Sequence, residues 1–164
     1  MVNSPSTCLH KATENNYDLI VIFHKFKSLK ERHALVELCS VLKRNRYTLH
    51  IPLLCLLPSK HRELLEHLRD SGAKYARFYD PSDPDSQNHM ETLLAKPSEE
   101  CKIGRIVSGI CPHINYFPIG QKNQEILHCG AYRNRLVLGS YRLRHLCETS
   151  NHKNCPYFKC PKFQ

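Results

Sequence analysis

Five cysteines in the last third of the chain have types and spacing that could build a metal site. Cys111, Cys129 and Cys147 are separated by two equal gaps of seventeen residues, and Cys155 follows after seven more. Cys160 follows after a further four residues. Thiolates are soft, strong ligands, and four of them suit zinc or an iron–sulfur cluster. The spacing therefore predicts a metal held by Cys111, Cys129, Cys147 and Cys155.

The surroundings of these cysteines bear on the identity of the metal. Zinc sites usually take ligands as pairs two to four residues apart, and the four predicted ligands contain no such pair. Single cysteines followed by proline, as at Cys111 and Cys155, are typical of iron–sulfur clusters. A [4Fe–4S] cluster is the favoured cofactor, and zinc is the alternative. Cys160 is an alternate ligand, and His152 could replace one thiolate in a zinc site.

The charge of the 164-residue chain is concentrated at the same end. Residues 101–164 hold 10 Lys+Arg against 2 Asp+Glu and supply +8 of the total +9. Such a surface could bind nucleic acid through four arginines beside Tyr132 and Tyr141, namely Arg133, Arg135, Arg142 and Arg144. Alternatively, the cations offset an anionic metal–thiolate centre, or they are solvated surface charge. All three interpretations stay open at this stage.

The first hundred residues have the pattern of a small α/β fold. Residues 17–23 and 51–57 are continuous apolar runs typical of strands buried on both faces, and residues 74–79 predict a third strand. Two helices alternate with these strands. Ser28 and Glu31 form a capping box at the start of one helix, and Gly72 ends the other. We expect a small parallel sheet in a domain spanning 17–96, a turn-rich linker at 80–85, and a loosely attached segment at 1–16.

This half resembles the second half of a response-regulator receiver domain. The likeness covers residues 17–81 and is carried by YDLIVIF, by IPLLCLL and by the turn Ser71-Gly72-Ala73. It implies a flavodoxin-like parallel sheet. The position of the phosphate-accepting aspartate falls on Phe23, the Ser/Thr position near Leu57 and the lysine position on Tyr79. Because phenylalanine can neither attack phosphorus nor hold magnesium, this half is predicted to be a degenerate, truncated receiver-like scaffold.

The second predicted domain, residues 101–164, is a small α+β module that needs a metal to fold. Its cysteine pattern, closed by Cys155-Pro156-Tyr157-Phe158, is similar to compact four-cysteine modules at the ends of some bacterial signalling and scaffold proteins. We predict strands at 103–110, 124–131 and 135–139, the last two flanking a turn at 132–134, and a short helix at 141–147.

The chain has no catalytic motif such as a nucleophile elbow, a phosphate loop or paired carboxylates. It also has no apolar run near eighteen residues and no secretory signal, so we expect a cytoplasmic protein without a membrane segment. Nine cysteines in that compartment indicate ligands or buried thiols rather than disulfides. The sequence predicts a non-catalytic regulatory or adaptor protein that senses redox state or oxygen, with a protein partner or a homodimer. The alternative is a basic, zinc-binding module that interacts with nucleic acid.

Overall fold

The computed structural model describes residues 4–23, 29–79, 90–120 and 124–162. The chain divides into two compact units, residues 1–105 and residues 106–164. The first unit begins with helix α1 (Pro5–Glu14), followed by strand β1 (Ile20–Phe23) and helix α2 (Leu29–Arg44). Strand β2 (Leu53–Leu57), helix α3 (Arg62–Asp70) and strand β3 (Tyr75–Phe78) complete its sheet. Helix α4 (Met90–Leu94) and a 3₁₀ turn (Glu99–Cys101) follow. The predicted linker at 80–85 lies outside the described residues.

The predicted parallel sheet is confirmed, with strand order β1-β2-β3. Strand β2 is central, and all five of its residues are buried, as its continuous apolar run predicts. Strand β1 differs from the prediction, because only Ile20 is buried and Phe23 is 38% exposed. The reason is its place beside a single neighbour, which leaves the other side of the strand uncovered by the sheet. Sequence pattern alone does not distinguish an edge strand from a central one.

The helices of this unit follow their sequence signals closely. Leu35, Cys39 and Leu42 form the buried stripe of α2, whereas the predicted cap Ser28 lies outside the described residues. Helix α3 begins at Arg62, with the Nδ1 atom of His61 accepting a hydrogen bond from the backbone N–H of Leu64.

The end of α3 confirms the predicted left-handed cap. Gly72 has a φ of +94°, and the N–H of Ala73 donates to the carbonyl of Leu68. These are features of a Schellman motif, in which glycine avoids the strain of a positive φ.

Residues 4–16 differ from the loosely attached segment that was expected at 1–16. Helix α1 is capped by Ser4, whose hydroxyl accepts a hydrogen bond from the N–H of Thr7, and Pro5 occupies the first helical position. Ala12 is its buried residue. These capping signals were present in the sequence, but polar composition outweighed them in the prediction.

The structure overturns two predictions made for residues 101–164. Residues 103–108 form helix α5 (Ile103–Ser108) rather than a strand. Ile103, Val107 and Ile110 are buried, so their spacing of four and three residues matches one helical face, although β-branched residues favour strands. Strand β5 (Gln124–Cys129) pairs with an unpredicted strand, β4 (Ile114–Ile119).

Residues 135–139 do not form the full strand that was predicted for them. They run beside β5 through one bridge between His128 and Val137, and the turn before them places Arg133 and Asn134 at positive φ. The predicted helix at 141–147 is present as α6 (Ser140–Arg142) continuing into a π-helical turn (Leu143–Cys147). A 3₁₀ turn (Ser150–Asn154) and helix α7 (Pro156–Lys159) close the described chain.

Candidate metal centre

Cys111 and Cys147 are joined through their backbones. Cys111 follows α5, and its N–H donates a 2.7 Å hydrogen bond to the carbonyl of Cys147. Cys147 ends the π-helical turn, a distortion that is frequent at functional sites. Both side chains are buried, at 7% exposure. Two cysteines 36 residues apart in sequence are therefore held side by side.

Cys129 is brought to the same region by the β4–β5 hairpin. It is the last residue of β5 and pairs with Ile114, three residues after Cys111. The next residue, Gly130, donates its N–H to the carbonyl of His113 at 2.7 Å. The Cys129 sulfur in turn accepts backbone hydrogen bonds from Ala131 and Tyr132. Such N–H···S bonds favour a thiolate and are a means by which proteins tune metal–sulfur centres.

Cys155 lies between a 3₁₀ turn and helix α7. Its N–H donates to the carbonyl of His152, and its carbonyl accepts from the N–H of Phe158. The Phe158 ring lies 5.0 Å from the His152 ring and 5.8 Å from the His113 ring, measured between centroids. These contacts attach the Cys155 segment to the chain that follows Cys111. Cys155 itself is partly exposed.

The thiols of the four predicted ligands influence one another electrostatically. Burial raises the pKa of Cys147 to about 12, and the thiols of Cys111, Cys129 and Cys155 add to this effect. Burial also raises the pKa of Cys129, with a further contribution from Cys155, against the opposing backbone hydrogen bonds. The Arg142 guanidinium acts in the opposite direction and offsets part of the rise in the pKa of both Cys147 and Cys129. All four cysteines thus lie within electrostatic range of Cys147 or Cys129.

The alternate ligands are placed differently from one another. Cys160 is exposed. His152 is 3% exposed, and its Nδ1 atom lies 2.7 Å from the carbonyl oxygen of Thr149. Because a carbonyl only accepts, Nδ1 is the donor in this contact, and in the neutral form of the ring the lone pair is then on Nε2. Metal-binding histidines are usually oriented in this way.

The thiols are nevertheless not arranged as a ready site for a single ion. Within residues 4–23, 29–79, 90–120 and 124–162, no group of three or more His, Cys, Asp or Glu side chains is positioned to hold a metal ion. A zinc ion binds each sulfur at ~2.3 Å, which would require the four sulfurs to be nearly in contact. The geometry therefore brings the cysteines together without closing them around one ion.

The four predicted nucleic-acid-binding arginines do not share one environment. Arg142 lies beside the thiols, and its guanidinium carbon is 5.4 Å from the centroid of the Tyr157 ring. Tyr157 in turn packs against Tyr132, at 4.7 Å between centroids. Arg133 and Arg135 are on the exposed turn after β5, and Arg144 is in the π-helical turn. The sequence indicates that cations could offset the charge of the thiolates, but its spacing does not show that Arg142 is the one that approaches them.

Comparison with known proteins gives no relative for this chain: no family model, no curated protein and no solved structure matches it. The structure also has no helix, among the residues it describes, with the length and apolar character needed to cross a membrane.

Proposed function

We propose that residues 106–164 form a cysteine-ligated metal module, with Cys111, Cys129, Cys147 and Cys155 binding a [4Fe–4S] cluster. The whole chain would then act as a non-catalytic regulatory or adaptor protein of the cytoplasm whose cluster responds to redox state or oxygen. The observation that carries this proposal is the convergence of four separate segments on Cys147. Its backbone binds Cys111, and its thiol interacts with those of Cys111, Cys129 and Cys155.

The donor set fits the proposed group in its chemistry. Four cysteines are the usual ligands of a [4Fe–4S] cluster, and hydrogen bonds to sulfur such as those to Cys129 adjust its potential. A cluster spreads its four ligands over separate iron atoms, so it requires the four sulfurs to lie less close together than one zinc ion does. When bound, the cluster would supply one-electron redox chemistry, while Arg142 would offset part of its negative charge.

The first unit supports the scaffold role within this proposal. Its three consecutive parallel strands have the order expected for the last three strands of a flavodoxin-like sheet. Phe23 and Tyr79, at the positions of the receiver's phosphoacceptor and lysine, pack against each other with ring centroids 4.7 Å apart. Phe23, at the phosphoacceptor position, has no carboxylate to bind magnesium or accept a phosphoryl group, and Tyr79 has no ammonium group in place of the lysine. We therefore propose a degenerate receiver-like domain that contacts a protein partner or a second copy of the chain.

The test is anaerobic purification followed by a visible spectrum and by iron and sulfide analysis. The expected result is a broad absorbance near ~400 nm with about four iron atoms and four sulfides per chain. Cys147→Ser should lose this absorbance, because it removes the thiol at the centre of the set. Cys160→Ser is the matched control in the same tail and should keep the cluster, since its side chain is exposed.

Two outcomes would contradict the cluster assignment. A colourless protein with one zinc per chain would replace the cluster by the zinc alternative. Equal metal content in Cys147→Ser, in Cys160→Ser and in the buried Cys39→Ser would show that Cys147 is not a ligand.

A second candidate function, nucleic-acid binding, is favoured by one exposed aromatic side chain. Tyr141 is 78% exposed and stacks on His145 at 4.2 Å between centroids, between the basic residues of the α6 region. Flat exposed rings flanked by arginine suit unpaired bases. Gel shifts with single-stranded oligonucleotides over a salt series test this function. Binding that is unchanged in Tyr141→Ala, or that does not weaken with salt, would refute it.

A further inference from the structure

The first unit contains an open cleft with a volume of about 390 Å³, and four of the residues that line it are cationic. These are Arg69, Lys74, Lys102 and Arg105, and the other lining residues are Gly72, Ala73, Glu99, Ile103 and Gly104. All of these residues lie within residues 1–105, so the cleft belongs to a single unit. It contains none of the cysteines of the candidate metal centre.

The fold brings these cations together from distant positions in the sequence. The Schellman turn at Gly72 ends α3 next to Arg69 and directs the chain into β3. Beside it, the N–H of Ile103 donates to the carbonyl of Lys74 at 3.0 Å, and Lys102 forms an antiparallel bridge with Tyr75. These backbone contacts fix two basic segments against each other. The cleft is therefore a product of the fold rather than a chance approach of long side chains.

Glu99 is paired with one of these cations. Its carboxylate lies 2.7 Å from the Nζ atom of Lys102. The hydrogen bond from Lys102 lowers the pKa of Glu99, desolvation opposes this shift, and the charges of Lys102, Lys74 and Arg105 lower the pKa further. The surplus positive charge also reaches Lys43, whose pKa is lowered by burial and then by Lys74. Arg69 is also paired, with its Nε atom 3.1 Å from the Oδ1 atom of Asp70. Two carboxylates thus face four cations, and the cleft keeps a net positive charge.

We infer that this cleft binds a small phosphorylated anion carrying at least two negative charges, and that Glu99 competes with it for the same lysines. The volume exceeds the needs of a single phosphate and suits a diphosphate group. The described residues that line the cleft include no aromatic ring on which a base could stack. Recognition is therefore expected to rest on phosphate oxygens, with lysine ammonium groups as the donors.

The experiment is calorimetric titration of the 164-residue chain with inorganic pyrophosphate at low salt. Binding with a dissociation constant in the millimolar range or tighter is expected. Lys74→Gln should weaken it about tenfold, the effect of losing one hydrogen bond to a charged group. Glu99→Gln should strengthen it by about the same factor, because it removes the competing carboxylate while preserving its shape.

Matched controls separate the cleft from general charge effects. Lys11→Gln and Glu37→Gln make the same charge changes at exposed positions on α1 and α2, and both should bind pyrophosphate like the parent chain. Equal changes in the cleft variants and the controls would overturn the proposal, as would the absence of binding at about 10 mM pyrophosphate.

Further titrations distinguish the possible sources of the phosphate. ADP binding no more than about tenfold tighter than pyrophosphate supports recognition of the phosphates alone. A much larger preference for ADP would refute the phosphate-only recognition. Binding of a single-stranded oligonucleotide that depends on Lys74, without any pyrophosphate binding, would replace the proposed ligand by nucleic acid. Loss of the metal in the cysteine variants leaves this test unaffected, so the two proposals fail separately.

Discussion

Gly130 is the position where a single methyl group should disturb the candidate metal centre most directly. It follows Cys129, and a Cβ atom added there would lie 2.8 Å from the Nδ2 atom of Asn115 and 3.3 Å from the carbonyl oxygen of His113. The Asn115 amide is the end of a side chain and can move. Moving it breaks its 2.7 Å hydrogen bond to the Oδ1 atom of Asn134. The His113 carbonyl is backbone and can yield only slightly.

The expected cost of Gly130→Ala follows from these two contacts. Losing the Asn115–Asn134 hydrogen bond costs about 1 kcal/mol. Crowding the His113 carbonyl adds about 1 kcal/mol, at the low end of the cost of overpacking. The total of about 2 kcal/mol should speed exchange of the local amide protons about 30-fold. We also expect the variant to retain less metal, because the displaced turn carries Cys129.

The assay is hydrogen–deuterium exchange read at two amides of this region. The N–H of Cys129 donates to the carbonyl of Leu136, and the N–H of Leu138 donates to that of Leu127. Gly139→Ala is the control, since a Cβ atom there meets nothing within 4 Å. In an Asn115→Ala background, Gly130→Ala should cost only about 1 kcal/mol, because the hydrogen-bond loss no longer contributes and only the crowding of the His113 carbonyl remains. An equal cost in both backgrounds would refute the steric argument.

Two further predictions concern the first unit. His61→Ala should lower the free energy of unfolding by about 1 kcal/mol in urea unfolding, because it removes the acceptor of the Leu64 N–H. His61→Asn should restore most of this loss, and equal stability of the two variants would contradict a capping role. Burial raises the pKa of Cys101, but hydrogen bonds from Arg77 and Ser98 outweigh it and lower that pKa below the ordinary thiol value of 9.0. The pKa of Cys8 is raised by burial and by Cys39. Alkylation followed by mass spectrometry should therefore reach half its maximal rate at a lower pH for Cys101 than for Cys8. The reverse order would show that the Arg77 contact does not stabilise the thiolate.

The α/β half of the fold was predictable because its signals are local. The apolar run of β2 and the stripe of α2 each report burial directly, and Gly72 marks a backbone conformation that other residues avoid. The segment at 103–110 was misread for the opposite reason. Its β-branched residues favour a strand and its glycines disfavour a helix, but burial of Ile103 and Val107 on one helical face overrides these local preferences.

For the candidate site, the sequence by itself determined the number, type and spacing of the cysteines, and hence the class of metal that four thiolates could bind. Only the tertiary structure decided how these cysteines meet. The unpredicted strand β4 positions Cys129, a backbone hydrogen bond joins Cys111 to Cys147, and Arg142 approaches the sulfurs. Each of these contacts joins residues far apart in the chain. No local preference encodes them, because they depend on which surfaces pack together once the chain has folded.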